Sequence, residues 1–468
     1  MSPLSEQLSI ALKQHRIAGA SIALSEGGQA HVAAAGYANV PEGIAATTDT
    51  VFQIGSITKA FTAALMSILV DDGLIAFDAP VSRYLPKLKI ANAAPPDTLT
   101  IRALLDHSAG FEGDFFADFG PQPEALERYV AACADLQWIH APGAMQSYNS
   151  AAYCIAGHVV EAVTGQFFNQ ALSERLLQPL GMDRYSFYDH EAARYRTAVG
   201  HSWDAANQRF KPPKSLRLPH CMSASGASLS MTATDLLRFG CLFVRRGRDS
   251  QGRTLISEAT FSQIIDPKIY TPPFGKPLLM SWVVLETSSG SCYATSGQTI
   301  DQNAFLLVSP EHAFAAAILT NGAGAANQLF ETVLIPSLRD RFGMEFQIPG
   351  STPATAAKQR DREAGQNTGD HAIYAGTYVN KTRCDVASTP AGLTLTVSAN
   401  STTGGDIESE HFQLQQAGEH RFNVLAGDSP QPAGQLVFVF SQDARAKPDL
   451  LAMSNRLYRR SETMQAAG

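Results

Sequence analysis

Two apolar, β-rich runs, residues 18–24 and 30–35, flank Ser25-Glu26-Gly27-Gly28. This pattern predicts a hairpin with a Gly-containing turn. A short strand over 51–54 leads into Gly55-Ser56, where the period changes. Ile57, Phe61, Ala64, Leu65, Ile68 and Leu69 recur at three- and four-residue intervals, which predicts a helix to about Asp72. Helical spacing then dominates over 101–107, 123–136, 150–163, 168–177 and 233–243, with Gly or Pro between the segments. Strand patterns return at 279–285, 292–295, 304–308 and 314–319, and 328–342 predicts a closing helix.

Strands therefore open and close the first part of the chain, with helices between. The economical arrangement is an α+β domain over 1–348, an antiparallel sheet flanked by helices with a helical lobe to one side. Active sites favour the seam between such lobes. Residues 349–371 are small and polar and read as a linker. Beyond them, 374–378, 393–397, 411–415, 422–425 and 436–440 alternate as short strands, which predicts a small all-β, barrel-like domain over 372–468. This second domain is expected either to cover the cleft and exclude long substrates or to mediate a homodimer.

Composition narrows the function. A length of 468 residues buries a large core without disulfides or metals. The chain carries 36 basic and 43 acidic residues, net −7, with no basic stripe, so nucleic acid is not an expected partner. No apolar run approaches the ~18 residues of a membrane-spanning helix, so no membrane partner is expected either. The six scattered cysteines form no metal-ligand spacing and read as buried small hydrophobes, and neither metal nor cofactor is expected. The N-terminal segment lacks the basic-then-apolar order of a secretory signal. The expected location is cytoplasmic, or periplasmic if a leader precedes Met1.

The chemistry concentrates at Gly55-Ser56-Ile57-Thr58-Lys59, a strand-to-helix junction. Positions three apart share a helix face, so Ser56 Oγ and Lys59 Nζ can meet. A serine hydroxyl is a poor nucleophile until a neighbour takes its proton. A first-turn serine also places helix N–H groups where an oxyanion would form. Ser-x-x-Lys alone is common and equally describes an N-cap serine with a surface lysine.

The wider context resembles the serine β-lactamase/penicillin-binding-protein superfamily, in its class C-like branch of esterases, D-aminopeptidases and related hydrolases. The resemblance rests on Ser56 to Leu69, Leu74-Ile-Ala-Phe-Asp-Ala-Pro-Val, Tyr84-Leu-Pro, Leu99-Thr-Ile-Arg-Ala-Leu-Leu-Asp-His107-Ser-Ala-Gly110, Pro179-Leu-Gly-Met, Thr232-Ala-Thr-Asp-Leu-Leu-Arg-Phe239 and Leu319-Thr-Asn321-Gly, and spans about residues 15–345. It implies a β-lactamase-like fold and acyl-enzyme chemistry. The family's Tyr-x-Asn motif falls on Tyr148-Asn149-Ser150. Tyr148 thereby joins Ser56 and Lys59 as a catalytic candidate, and either Lys59 or Tyr148 could accept the serine proton. Ser150 replaces the usual Asn with a shorter hydroxyl. The third motif falls on Thr295-Ser296-Gly297. There the N–H of Gln298 would complete an oxyanion hole with that of Ser56, and Gly297 permits close backbone approach. Thr295 replaces the family's cation, which argues against efficient β-lactam turnover or a strict carboxypeptidase. Phe111, Phe115, Phe116 and Phe119 crowd the loop expected beside the site, and Phe111 and Phe115 are candidates for holding an apolar substrate group. His107 reads as a structural histidine.

The leading expectation is a serine hydrolase acting through an acyl-enzyme on amide bonds of small linear peptides, including those with D- or non-standard residues. An esterase or transesterase on small acyl esters is the alternative. A non-catalytic acyl-ligand binding protein is a third reading, supported by the departures at Ser150 and Thr295.

Overall fold

The computed structural model describes residues 3–122, 124–267, 278–346 and 371–461, except for 381, 390–391, 400–407, 419, 427–431 and 441–446 in the C-terminal part. A seven-stranded antiparallel sheet forms the frame of the larger part. Its order is Ile44–Ala45, Gln29–Asn39, Gly19–Glu26, Phe314–Thr320, Asn303–Ser309, Gly290–Gln298 and Val283–Thr287. The first hairpin and the 283–320 strands thus share one sheet, joined where Ala20 pairs with Thr320 and Glu26 with Phe314.

Both faces of the sheet are covered, so its central strands are buried and mainly apolar along their length instead of alternating. Every residue of Asn303–Ser309 and Phe314–Thr320 is buried. One face packs with the helical lobe, including the helices Thr58–Asp71, Ser150–Thr164 and Ala233–Val244. Small residues set the spacing: a Cβ at Gly240 would lie 3.0 Å from Leu306 Cδ1 and 3.1 Å from Ala315 Cβ. The other face packs against the N-terminal helix Pro3–His15, through Leu8, Ala11 and Leu12, and against the helices Ala325–Leu329 and Ile335–Phe342. The sequence pattern did not mark Pro3–His15 as a helix, nor Glu258–Ile264. The run expected at 168–177 is an α-helix to Leu172 followed by a π-turn over Ser173–Leu177.

Apart from His371, the expected linker lies outside the described residues. The C-terminal part is a closed barrel of eight antiparallel strands, three more than the alternation marked. Thr382–Thr389, Leu450–Met453 and Arg456–Arg460 are the additions. Closure pairs the first strand, Gly376–Asn380, with the last, which leaves no edge. Its interior is filled by Tyr374, Tyr378, Phe422, Phe438 and aliphatic side chains. No helix among the described residues is long and apolar enough to cross a membrane.

Candidate active site

The chain enters the helical lobe through Gly55, which adopts a left-handed φ of +53°. A Cβ there would lie 2.6 Å from Gln298 N, so only glycine lets the turn meet the strand end. Ser56 sits in the single turn Gly55–Ile57 that opens directly into the helix Thr58–Asp71. Thr58 Oγ1 fixes that turn by donating to Gly55 O at 2.8 Å. Lys59, one turn on, is buried. Its Nζ donates to Ser56 Oγ at 3.1 Å and to the carbonyl of Ser225 at 2.6 Å. The same Nζ lies 4.8 Å from the centre of the Tyr148 ring. The structure thus brings Ser56, Lys59 and Tyr148 to one place.

Tyr148 is carried by an extended segment that the buried His107 organises. Ser147 N–H donates to His107 O at 2.8 Å, and Asn149 N–H donates to His107 Nδ1 at 3.0 Å. The imidazole stacks on the Tyr148 ring with centres 4.6 Å apart. Burial, reinforced by the charges of Lys59 and Arg456, holds His107 well below the usual histidine range. The ring is therefore neutral, with the proton on Nε2 and Nδ1 free to accept. Asn149 caps the helix Ser150–Thr164: its Oδ1 accepts from Ala152 N–H and its Nδ2 donates to Phe111 O, both at 2.7 Å. The middle residue of the motif is thus occupied with backbone, while Ser150 lines the cleft.

On the opposite wall, the end of the strand Gly290–Gln298 presents Ser296, Gly297 and Gln298 to the cleft. An ideal Cβ at Gly297 would stand 2.0 Å from Ile54 O and 2.7 Å from Ser56 N. The strand end therefore abuts the Gly55–Ile57 turn, backbone against backbone. Thr295 is buried and does not line the cleft. Asn303 secures this wall, with Nδ2 donating to Gly297 O and Oδ1 accepting from Ala326 N–H, both at 2.8 Å.

The cleft has a volume of about 380 Å³. The aromatic expectation needs correction. Phe111 is a core residue packed edge-on against Trp138, and Phe115 packs on Tyr129, whose hydroxyl donates to Phe115 O at 2.6 Å. Phe116, in the same run, lines the cleft instead. Alternation along the loop decides which ring faces inward, and the density of phenylalanines carries no such information. Sequence reasoning also missed the Ser225 carbonyl and a contribution from the barrel: Ser454, Asn455 and Arg456 line the cleft. Arg456 is thus a second cation there besides Lys59, although Thr295 supplies none. Among the described residues no carboxylate lines the cleft, and no group of three His, Cys, Asp or Glu side chains could hold a metal ion.

A family model named Beta-lactamase matches residues 6–334, well over half of the chain. The chain belongs to this family. Penicillin-binding protein 4 of Amycolatopsis lactamdurans is 33% identical over 345 residues, covering 73% of this chain and 90% of that protein. The crystal structure of SurE superposes with a TM-score of 0.76 at 23% identity, covering 98% of both chains, barrel included. The D-amino acid amidase of Ochrobactrum anthropi superposes with a TM-score of 0.59 at 21% identity, covering 73% of this chain and all of that one. Members of this family are serine hydrolases, and the present chain belongs to it on the family match and the 33% identity.

Proposed function

We propose that the protein cleaves amide bonds of short peptides through an ester of Ser56, preferring a D- or non-standard residue on the acyl side. The observation that carries this reading is Lys59 Nζ at 3.1 Å from Ser56 Oγ, beside the Tyr148 ring. Ser56 Oγ attacks the acyl carbon while its proton passes to Lys59 as the neutral amine or to Tyr148 as the phenolate. The Ser56 and Gln298 N–H groups stabilise the oxyanion, and the same acid–base pair returns the proton to the departing amine. Water then attacks the ester by the reverse route. The modest cleft, closed on one side by the barrel turn, favours short chains over polymers. Solved structures of like fold include SurE with D-Leu and the D-amino acid amidase complexed with D-phenylalanine, which motivates testing both hands.

The test compares D- and L-amino-acid anilides of short peptides with a nitrophenyl ester, using wild type and Ser56→Ala. Amide turnover that favours the D form and is lost in the variant supports the proposal, and turnover that favours the L form would overturn its stereochemical part. Ester turnover without amide turnover would place the protein with the esterases instead. Amide turnover that survives Ser56→Ala would refute the nucleophile.

A further inference from the structure

The last two barrel strands are joined by Ser454-Asn455, both in the left-handed region at φ +50° and +61°. Such a pair makes a tight hairpin turn. This turn is seated on the Tyr148 segment. Three successive amides there, Ser147, Tyr148 and Asn149, lie outside the helix and need partners. His107 takes the first and third; the middle one, Tyr148 N–H, donates to Asn455 O of the barrel at 2.7 Å. Two further ties flank it. Leu457 N–H donates to Ser147 Oγ at 3.0 Å, and Arg456 Nε donates to Asp114 at 2.5 Å while its guanidinium lies 5.0 Å from the Tyr148 ring centre.

A buried asparagine links these ties to the loop behind Tyr148. Asn380, on the first barrel strand, accepts from Gly113 N–H at 3.4 Å and donates to Leu457 O at 2.8 Å. A Cβ at Gly113 would lie 2.8 Å from Tyr148 O, and Gly113 O receives the Ser150 and Ala151 amides at 3.2 Å. The three backbone amides of residues 147–149 thus lead either to His107 or to the barrel.

We propose that the barrel is a positioning element of the acyl-transfer site, its 454–457 turn fixing where Tyr148 stands relative to Ser56 and Lys59. The two domains then form one catalytic unit. The inference rests on the role given to Tyr148 above.

The test uses full-length Ser147→Ala and Asn380→Ala, neither of which lines the cleft, with Ser147→Thr as the conservative control. Pre-steady-state release of nitrophenol from p-nitrophenyl acetate separates two quantities. The burst amplitude counts competent molecules, and the burst rate constant reports the acylation chemistry. A misplacement near 1 Å costs about 100-fold in rate, so both alanine variants should acylate about 10- to 100-fold more slowly at full amplitude. Ser147→Thr should restore most of the rate. Wild-type rate constants in both alanine variants, or reduced amplitude at an unchanged rate constant, would overturn the proposal by showing the contacts to be structural only. If Asn380→Ala fails to fold, the single hydroxyl removed in Ser147→Ala carries the test. No Ser56-dependent nitrophenol release in wild type, either as a burst or in the steady state, would sink the underlying catalytic reading instead.

Discussion

Gly297→Ala adds one methyl group at the point where the strand end meets the Gly55–Ile57 turn. The new Cβ would stand 2.0 Å from Ile54 O, 2.7 Å from Ser56 N and 2.9 Å from Ile57 N, all backbone atoms with no rotamer to yield. Restoring an ordinary 3.4 Å contact with Ile54 O requires the two segments to part by about 1.4 Å. Gln298, next in the strand, moves with them, so its amide leaves the place where it would serve the oxyanion with Ser56 N–H. A displacement of that size costs about 100-fold in rate, equivalent to about 2.7 kcal/mol of transition-state stabilisation. Overpacking should also cost about 1–3 kcal/mol of stability. The assay is the p-nitrophenyl acetate burst rate alongside thermal unfolding by circular dichroism. Gly434→Ala, in the barrel with open space around it, is the control and should match wild type in both. A Gly297→Ala enzyme that acylates within twofold of wild type would refute the reasoning, because the strand end could not then border the reacting atoms.

Three further outcomes follow from the same geometry. Phe116→Ala should raise KM for aromatic or apolar acyl groups with little loss of stability, whereas Phe111→Ala should leave KM alone and cost about 3–5 kcal/mol in denaturant unfolding. His107 is held neutral in the folded chain while the unfolded chain titrates near 6.5. The unfolded state therefore binds the extra proton, and this residue's contribution is complete above about pH 6.5 and is lost as pH falls below it. Urea unfolding from pH 7.5 to 5 should show that the slope attributable to this site disappears in His107→Gln. Finally, burial raises the Cys154 and Cys384 thiols to about 12 and those of Cys221 and Cys292 to about 11, and Cys133 is also buried. Only the half-buried Cys241 should react quickly with a thiol reagent at pH 8, so two or more fast equivalents in the native chain would contradict the packing.

Much of the site was legible because its parts are local. Ser56 and Lys59 share a helix face by spacing alone, and the period change at Gly55 places them at a strand–helix junction. Gly297 was reached only through the family resemblance, by aligning back from Leu306-Leu-Val-Ser-Pro-Glu and Leu319-Thr-Asn, and the sheet pairs it with Ala304. Strands rich in polar residues were harder to see. Thr382–Thr389 carries only Cys384 and Val386 inward, and Arg456–Arg460 is dominated by charge, so barrel closure was invisible in their alternation.

What the sequence determined by itself is the α+β core with its β appendage and the meeting of Ser56 with Lys59, since each depends on which residues lie within a turn or two of one another. Tertiary structure alone decided that Phe116, not Phe111 or Phe115, faces the cleft, that Ser225 offers its carbonyl to Lys59, and that Arg456 and Asn455 reach Tyr148 from the barrel. Periodicity records which face of an element is buried. It does not record what lies across that face, because an arginine in a polar hairpin reads the same whether it meets water or a tyrosine brought to it by the folding of another domain.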